Sequence, residues 1–111
     1  MDVELLVVAD CPNGTRAAAL LCTALRDVGL GRVEITTTVI TSPEHAGRRG
    51  FTGSPTILID GNDPFPEPDQ PSALACRVFP TPSGPRGIPD LRMLRQALKR
   101  AVEPNARNLG I

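Results

Sequence analysis

Three stretches of this 111-residue chain predict an α/β fold with a central four-stranded mixed sheet flanked by helices. Val3 to Ala9 is a nearly continuous apolar run, as in a strand covered on both faces. Thr15 to Val28 sets Ala18, Leu21, Cys22, Leu25 and Val28 at helical spacing. Val33 to Ile40 alternates, with Val33, Ile35, Thr37 and Val39 on one side and Glu34, Thr36 and Thr38 on the other.

The remaining elements follow in order. Gly29 and Gly31 stop the first helix. Ser42-Pro43-Glu44 is a helix start: a hydroxyl cap, a proline at the first position and an acid at the positive end. Gly47 and Gly50 keep that helix short. Pro55 opens a third strand, Thr56 to Ile59, closed by a turn at Asp60-Gly61. Asn62 to Ser72 carries Pro64, Pro66, Pro68 and Pro71 and reads as an irregular loop. Leu74 to Phe79 reads as a fourth strand that forms a hairpin with the third, and Pro80 to Pro89 as another loop. Asp90 to Val102 is a last amphipathic helix, with Leu91, Leu94, Leu98 and Ala101 on one face. The order is β-α-β-α-β-β-α, and the long helix between the first two strands makes them parallel. Residues 1–102 form one domain, and 103–111 read as a frayed tail.

Composition narrows the function. Twelve Lys and Arg balance twelve Asp and Glu, so no general field favours nucleic acid or an anionic membrane surface. Arg48 and Arg49 read as a solvated helix end. There is no Trp or Tyr and only three Phe, which argues against stacking on bases. The start of the chain has acids at Asp2 and Glu4, no basic region, and an apolar run far shorter than the roughly 18 residues of a spanning helix. A cytoplasmic protein is expected. Three cysteines, an odd number, speak against a secreted disulfide framework.

The chemistry rests on those thiols. Cys11 stands where the first strand turns into a helix, and helix amides there favour an anionic sulfur, with Arg16 adding to the effect and Asp10 opposing it. Gly14 stands where a second cysteine would complete Cys-x-x-Cys. Cys22 shares the expected buried face and sits about 10 Å up the helix, too far to pair with Cys11. Cys76 follows the proline loop. It is either the missing resolving thiol, if that loop delivers it to Cys11, or a strand cysteine packed beneath a helix. His45, the only histidine, reads as a solvated helix residue. Asp60 and Asp63 suit turn hydrogen bonds. There is no phosphate-binding glycine loop, Ser-His-Asp set or zinc-ligand spacing, so no cofactor or resident metal is expected.

With Cys11-Pro12 ending the first strand and Ser54-Pro55-Thr56 opening the third, the chain resembles the thioredoxin superfamily from about Val3 to Val102. The phrase FTGSPTILIDG, Phe51 to Gly61, carries most of the likeness. The resemblance implies a cis Pro55 set against Cys11, and a Ser54 backbone that pairs with an extended substrate. Pro12, Ser54, Pro55 and Thr56 would then line the substrate. Gly14, in place of the resolving cysteine, and Asp10, where thioredoxins carry tryptophan, depart from the pattern. The chain is also similar to small bacterial thioredoxin-like proteins labelled as alkylmercury lyases.

Three functions stay open. One is a thiol oxidoreductase in which Cys11 attacks a disulfide or oxidised thiol, resolved by Cys76 or by an external thiol such as glutathione. Another is a soft-metal thiolate site for mercury, copper(I) or an iron–sulfur cluster, with Asp10 or Asp63 as proton donor in the alkylmercury version. The third is a binding module that uses the fold without the chemistry. The expected partners are thiols, disulfides or a protein.

Overall fold

The computed structural model describes residues 1–66 and 71–109, with the backbone alone for 103–109. Pro68 of the expected proline loop, and tail positions 110 and 111, lie outside the described residues. Three helices and five strands run in the order β1 (Val3–Val7), α1 (Pro12–Asp27), β2 (Ile35–Val39), α2 (Pro43–Arg49), β3 (Thr56–Ile59), β4 (Phe79–Thr81), β5 (Gly84–Arg86) and α3 (Leu91–Leu109).

The main sheet is three-stranded and mixed, in the order β2-β1-β3. β1 pairs in parallel with β2 from Val3↔Ile35 to Val7↔Val39. It pairs antiparallel with β3 from Val3↔Ile59 to Leu6↔Thr56. The apolar run of β1 is explained by this central place. Val3, Leu5 and Val7 join Ile57, Ile59 and the faces of α1 and α3 in one core. Leu6 turns the other way, onto Ile40, Ala46 and Phe51 beneath α2. Leu21 and Leu98 are wholly buried in the larger core, where truncation to Ala costs about 2–5 kcal/mol.

Local chemistry sets the element ends. Ser42 caps α2, its hydroxyl accepting from the His45 amide at 3.0 Å, and Gly50 ends it in the left-handed conformation at φ 62°. Asp60 and Gly61 turn the chain with positive φ at both positions. The Asp60 amide donates to the Asp2 carbonyl at 2.7 Å, fixing that turn to the start of β1.

Several expectations need correction. α1 begins at Pro12 rather than Thr15, because Cys11 is extended at φ −70° and ψ 116° and proline suits the first helical position. Its buried residues are Ala17, Leu21, Ala24 and Leu25. Cys22, one position round from Leu21, is therefore exposed rather than in the core. α3 runs past Val102 to Leu109.

The four-stranded sheet is not formed among the described residues. Of the expected strand Leu74 to Phe79, residues Leu74 to Val78 make only an isolated bridge, Cys76 to Ser54 in parallel sense. The strand starts at Phe79 and pairs instead with Gly84–Arg86, inside the stretch expected to be a loop. Leu74 and Val78 point to solvent while Arg77 and Phe79 are buried. The inward face carries Arg77, whose guanidinium is held there by Asp63, beside Phe79. In the hairpin Pro80 lies opposite Pro85. With hydrogen-bonded pairs alternating along the ladder, this is the pair that needs no N–H.

Candidate functional site

β1 delivers the chain to Cys11 through a tight turn. The Cys11 amide donates to the Val8 carbonyl at 3.4 Å, and Asp10 holds φ 59°, a left-handed position that Asp tolerates. Cys11 is the N-cap of α1, yet its side chain makes no capping hydrogen bond, and the thiol is half-buried. Pro12 beside it is exposed.

A groove of about 420 Å³ opens at this corner. Leu5, Val7, Ala18, Thr37 and Val39 line its inner part, and Asp10, Cys11, Gly14 and Thr15 its α1 end. It exists because β2 is an edge strand that α1 does not fully cover. Val39 is 45% exposed.

Ser54, Pro55 and Thr56 are all buried. The Ser54–Pro55 peptide is cis. The Ser54 hydroxyl accepts the Val8 amide at 3.1 Å, which ties β3 to the strand that carries Cys11. The Ser54 backbone, expected to pair with an extended substrate, is bonded within the chain. Its amide donates to the Ala75 carbonyl at 2.7 Å, and its carbonyl accepts the Arg77 amide at 2.9 Å. Thr56 is likewise turned inward, its hydroxyl donating to the Gly53 carbonyl at 2.7 Å.

Those two backbone bonds bracket Cys76, which stands exposed opposite Ser54. Gly53 makes the approach possible: at φ 148°, any side chain there would bring its Cβ to 2.9 Å from the Arg77 Cβ. Cys11, Cys22 and Cys76 are all free thiols. Cys76 lines a separate small cavity with Thr52, Pro71, Ala73, Ala75, Arg77 and Val78.

Reading the sequence missed Arg77, which is only 2% exposed. Its guanidinium donates to Asp63 at 2.7 Å and to the Phe65 carbonyl, and lies 4.5 Å from the centre of the Phe79 ring. Phe79 in turn packs edge-on to Phe65, with ring centres 5.8 Å apart. The signal was an arginine inside the apolar run LACRVF, with an aspartate upstream to receive it. Asp63 also accepts the Phe65 amide at 2.8 Å, so both its oxygens are engaged and a role as proton donor loses support.

Away from this corner, Glu4 joins β2 to α2. It accepts from Thr38 at 2.7 Å and pairs with Arg49. Those hydrogen bonds, Thr38 first and then Arg49, together with the Arg49 charge, outweigh burial and hold its carboxyl below the ordinary 4.5.

Among the described residues, no three or more His, Cys, Asp or Glu side chains gather as metal ligands, and no helix is long and apolar enough to cross a membrane. No protein-family model, curated protein or solved structure matches this chain.

Proposed function

We propose that this protein is a thioredoxin-like thiol–disulfide oxidoreductase in which Cys11 attacks and Cys76 resolves. The observation that carries the reading is the place of Ser54 between the two thiol-bearing segments. Its hydroxyl holds Val8, on the strand end leading into Cys11, and its backbone brackets Cys76. Cys76 is exposed, as a thiol that must meet a mixed disulfide has to be. The reading places the protein in a reducing compartment, the cytoplasm.

The chemistry balances without a metal or cofactor. The Cys11 thiolate attacks one sulfur of a disulfide R–S–S–R′, the Cys11–S–R bond forms, and R′S⁻ leaves with the electron pair of the broken bond. The Cys76 thiolate then attacks the Cys11 sulfur, closing Cys11–Cys76 and releasing RS⁻. The substrate gains two electrons and the protein dithiol loses two; exchange with two equivalents of an external thiol, which leave joined as their own disulfide, restores the dithiol.

The test is a disulfide map by mass spectrometry. Reduced Cys22→Ser protein is treated with one equivalent of bis(2-hydroxyethyl) disulfide under native conditions. A Cys11–Cys76 bond is expected, and Cys76→Ser added to that background should trap hydroxyethylthiol on Cys11. A Cys11 that stays unmodified in the folded protein overturns the reading.

A further inference from the structure

We infer that the groove beside Cys11 selects small disulfides whose groups are apolar and carry no negative charge. The inference rests on the thiol reading above and names its substrate class.

Size comes first. At about 420 Å³ the groove lies in the range, roughly 300–1,000 Å³, of pockets that hold small molecules. An extended polypeptide would need a free backbone edge, and at Ser54 that edge is bonded to Ala75 and Arg77. The Ser54 edge is thus closed to a polypeptide, and the size of the groove suits a small molecule that approaches from the β2 side.

Its polarity follows from the lining. Leu5, Val7, Ala18 and Val39 offer an apolar surface, and the one charged side chain among the lining residues is Asp10. No Lys or Arg lines the groove to receive a carboxylate, the group on which recognition of an anionic disulfide depends. At the start of α1, two of the first three positions offer no free amide. Pro12 has no N–H, and the Gly14 amide donates to the Cys11 carbonyl at 3.1 Å. An anionic substituent would share the groove with Asp10 and leave its own charge unpaired. An alkyl substituent would lie on Val7 and Ala18.

The step read out is a single exchange. The Cys11 thiolate forms a mixed disulfide with R–S–S–R and releases one RS⁻. Protein carrying Cys22→Ser and Cys76→Ser, two exposed positions, leaves Cys11 as the sole thiol. The probes are diethyl disulfide, which is neutral and apolar, and 3,3′-dithiodipropionate, which is dianionic. Each second-order rate is divided by the rate of the same probe with a neutral small thiol, which removes intrinsic reactivity.

A normalised preference for diethyl disulfide of about tenfold or more is expected, the size of a close like-charge effect plus a lost apolar contact. Ala18→Leu, which fills the groove, should slow diethyl disulfide more than the dianion. Asp10→Asn, which keeps a residue suited to positive φ, should speed the dianion selectively. Equal normalised rates, or a preference for the dianion, would overturn the substrate class while leaving Cys11 a working nucleophile. Failure of Cys11 to react with either probe, while the protein stays folded, would overturn both readings.

Discussion

A β-carbon placed on Gly14 stands 3.9 Å from that of Cys11. Disulfides hold their β-carbons about 3.5–4.5 Å apart, so the missing Cys-x-x-Cys partner is absent in side chain only, not in geometry. The new Cβ would also lie 3.3 Å from a Val7 methyl, which must yield by a few tenths of an ångström. We therefore expect Gly14→Cys, in a Cys22→Ser and Cys76→Ser background, to form a disulfide between Cys11 and the introduced thiol under mild oxidation. The reduced form should stay within about 1 kcal/mol of its parent. Peptide mapping and urea titration check both points. A pair of thiols that stays reduced under oxidants that bridge other vicinal dithiols would show that the α1 start is more open than this distance implies.

Ser54 binds three groups from two segments, and its removal should be felt at both. Ser54→Ala leaves the Val8 amide without its acceptor at 3.1 Å, at a cost of about 1–2 kcal/mol. The backbone bonds to Ala75 and Arg77 do not need the hydroxyl and should persist. Closure of the Cys11–Cys76 bond after disulfide challenge is expected to slow several-fold, because Val8 loses its tie to the segment carrying Cys76. Closure at the parental rate, measured by quenched mass spectrometry, would mean that Ser54 serves stability alone.

What could be read from the chain is local chemistry, and what could not is long-range pairing. The β1 run, the Ser42 cap and the Asp60-Gly61 turn each follow from residues within a few positions of one another. The position of Cys11 between strand and helix was legible for the same reason. In α1, apolar residues lie over a wide arc. Only the small Ala17 and Ala24, set against the sheet, decide that Cys22 faces water. The run LACRVF looks like strand by composition. Its inward face carries a charge whose partner, Asp63, lies beyond the proline loop. The segment that carries this arginine lies on Gly53 and Ser54, occupying the edge that the resemblance assigns to a substrate.

Arg77 gives a direct test of that account. Arg77→Met keeps bulk against Phe79 but takes the guanidinium away from Asp63 Oδ2 and from the Phe65 carbonyl, leaving Asp63 only the Phe65 amide. Breaking a buried pair from one side costs about 3–5 kcal/mol, and Asp63 is partly exposed, so a loss of about 3 kcal/mol is expected. Adding Asp63→Asn should recover part of it by removing the stranded charge. Chemical unfolding of the single and double variants checks this. A cost below about 1 kcal/mol for Arg77→Met would mean that apolar packing, rather than the ion pair, sets the inward face of the segment.

Glu4 makes stability depend on pH in a definite direction. Its carboxyl titrates below the ordinary 4.5 in the folded protein, chiefly through the Thr38 hydrogen bond and then through Arg49. The unfolded chain therefore takes up this proton first as pH falls. The stabilisation is fully present above the unfolded value and is lost as pH drops through the folded one. Both partners are partly solvated, with side chains 34% and 24% exposed, which limits the contribution to about 0.5–1 kcal/mol. Glu4→Gln should lower stability by that amount at pH 7, and the gap from the parent should begin to narrow as pH falls below the ordinary 4.5. Urea titrations at pH 7 and pH 3.5 read the difference. A gap that stays constant across that range would assign the effect of Glu4 to packing between β1 and α2 rather than to its charge.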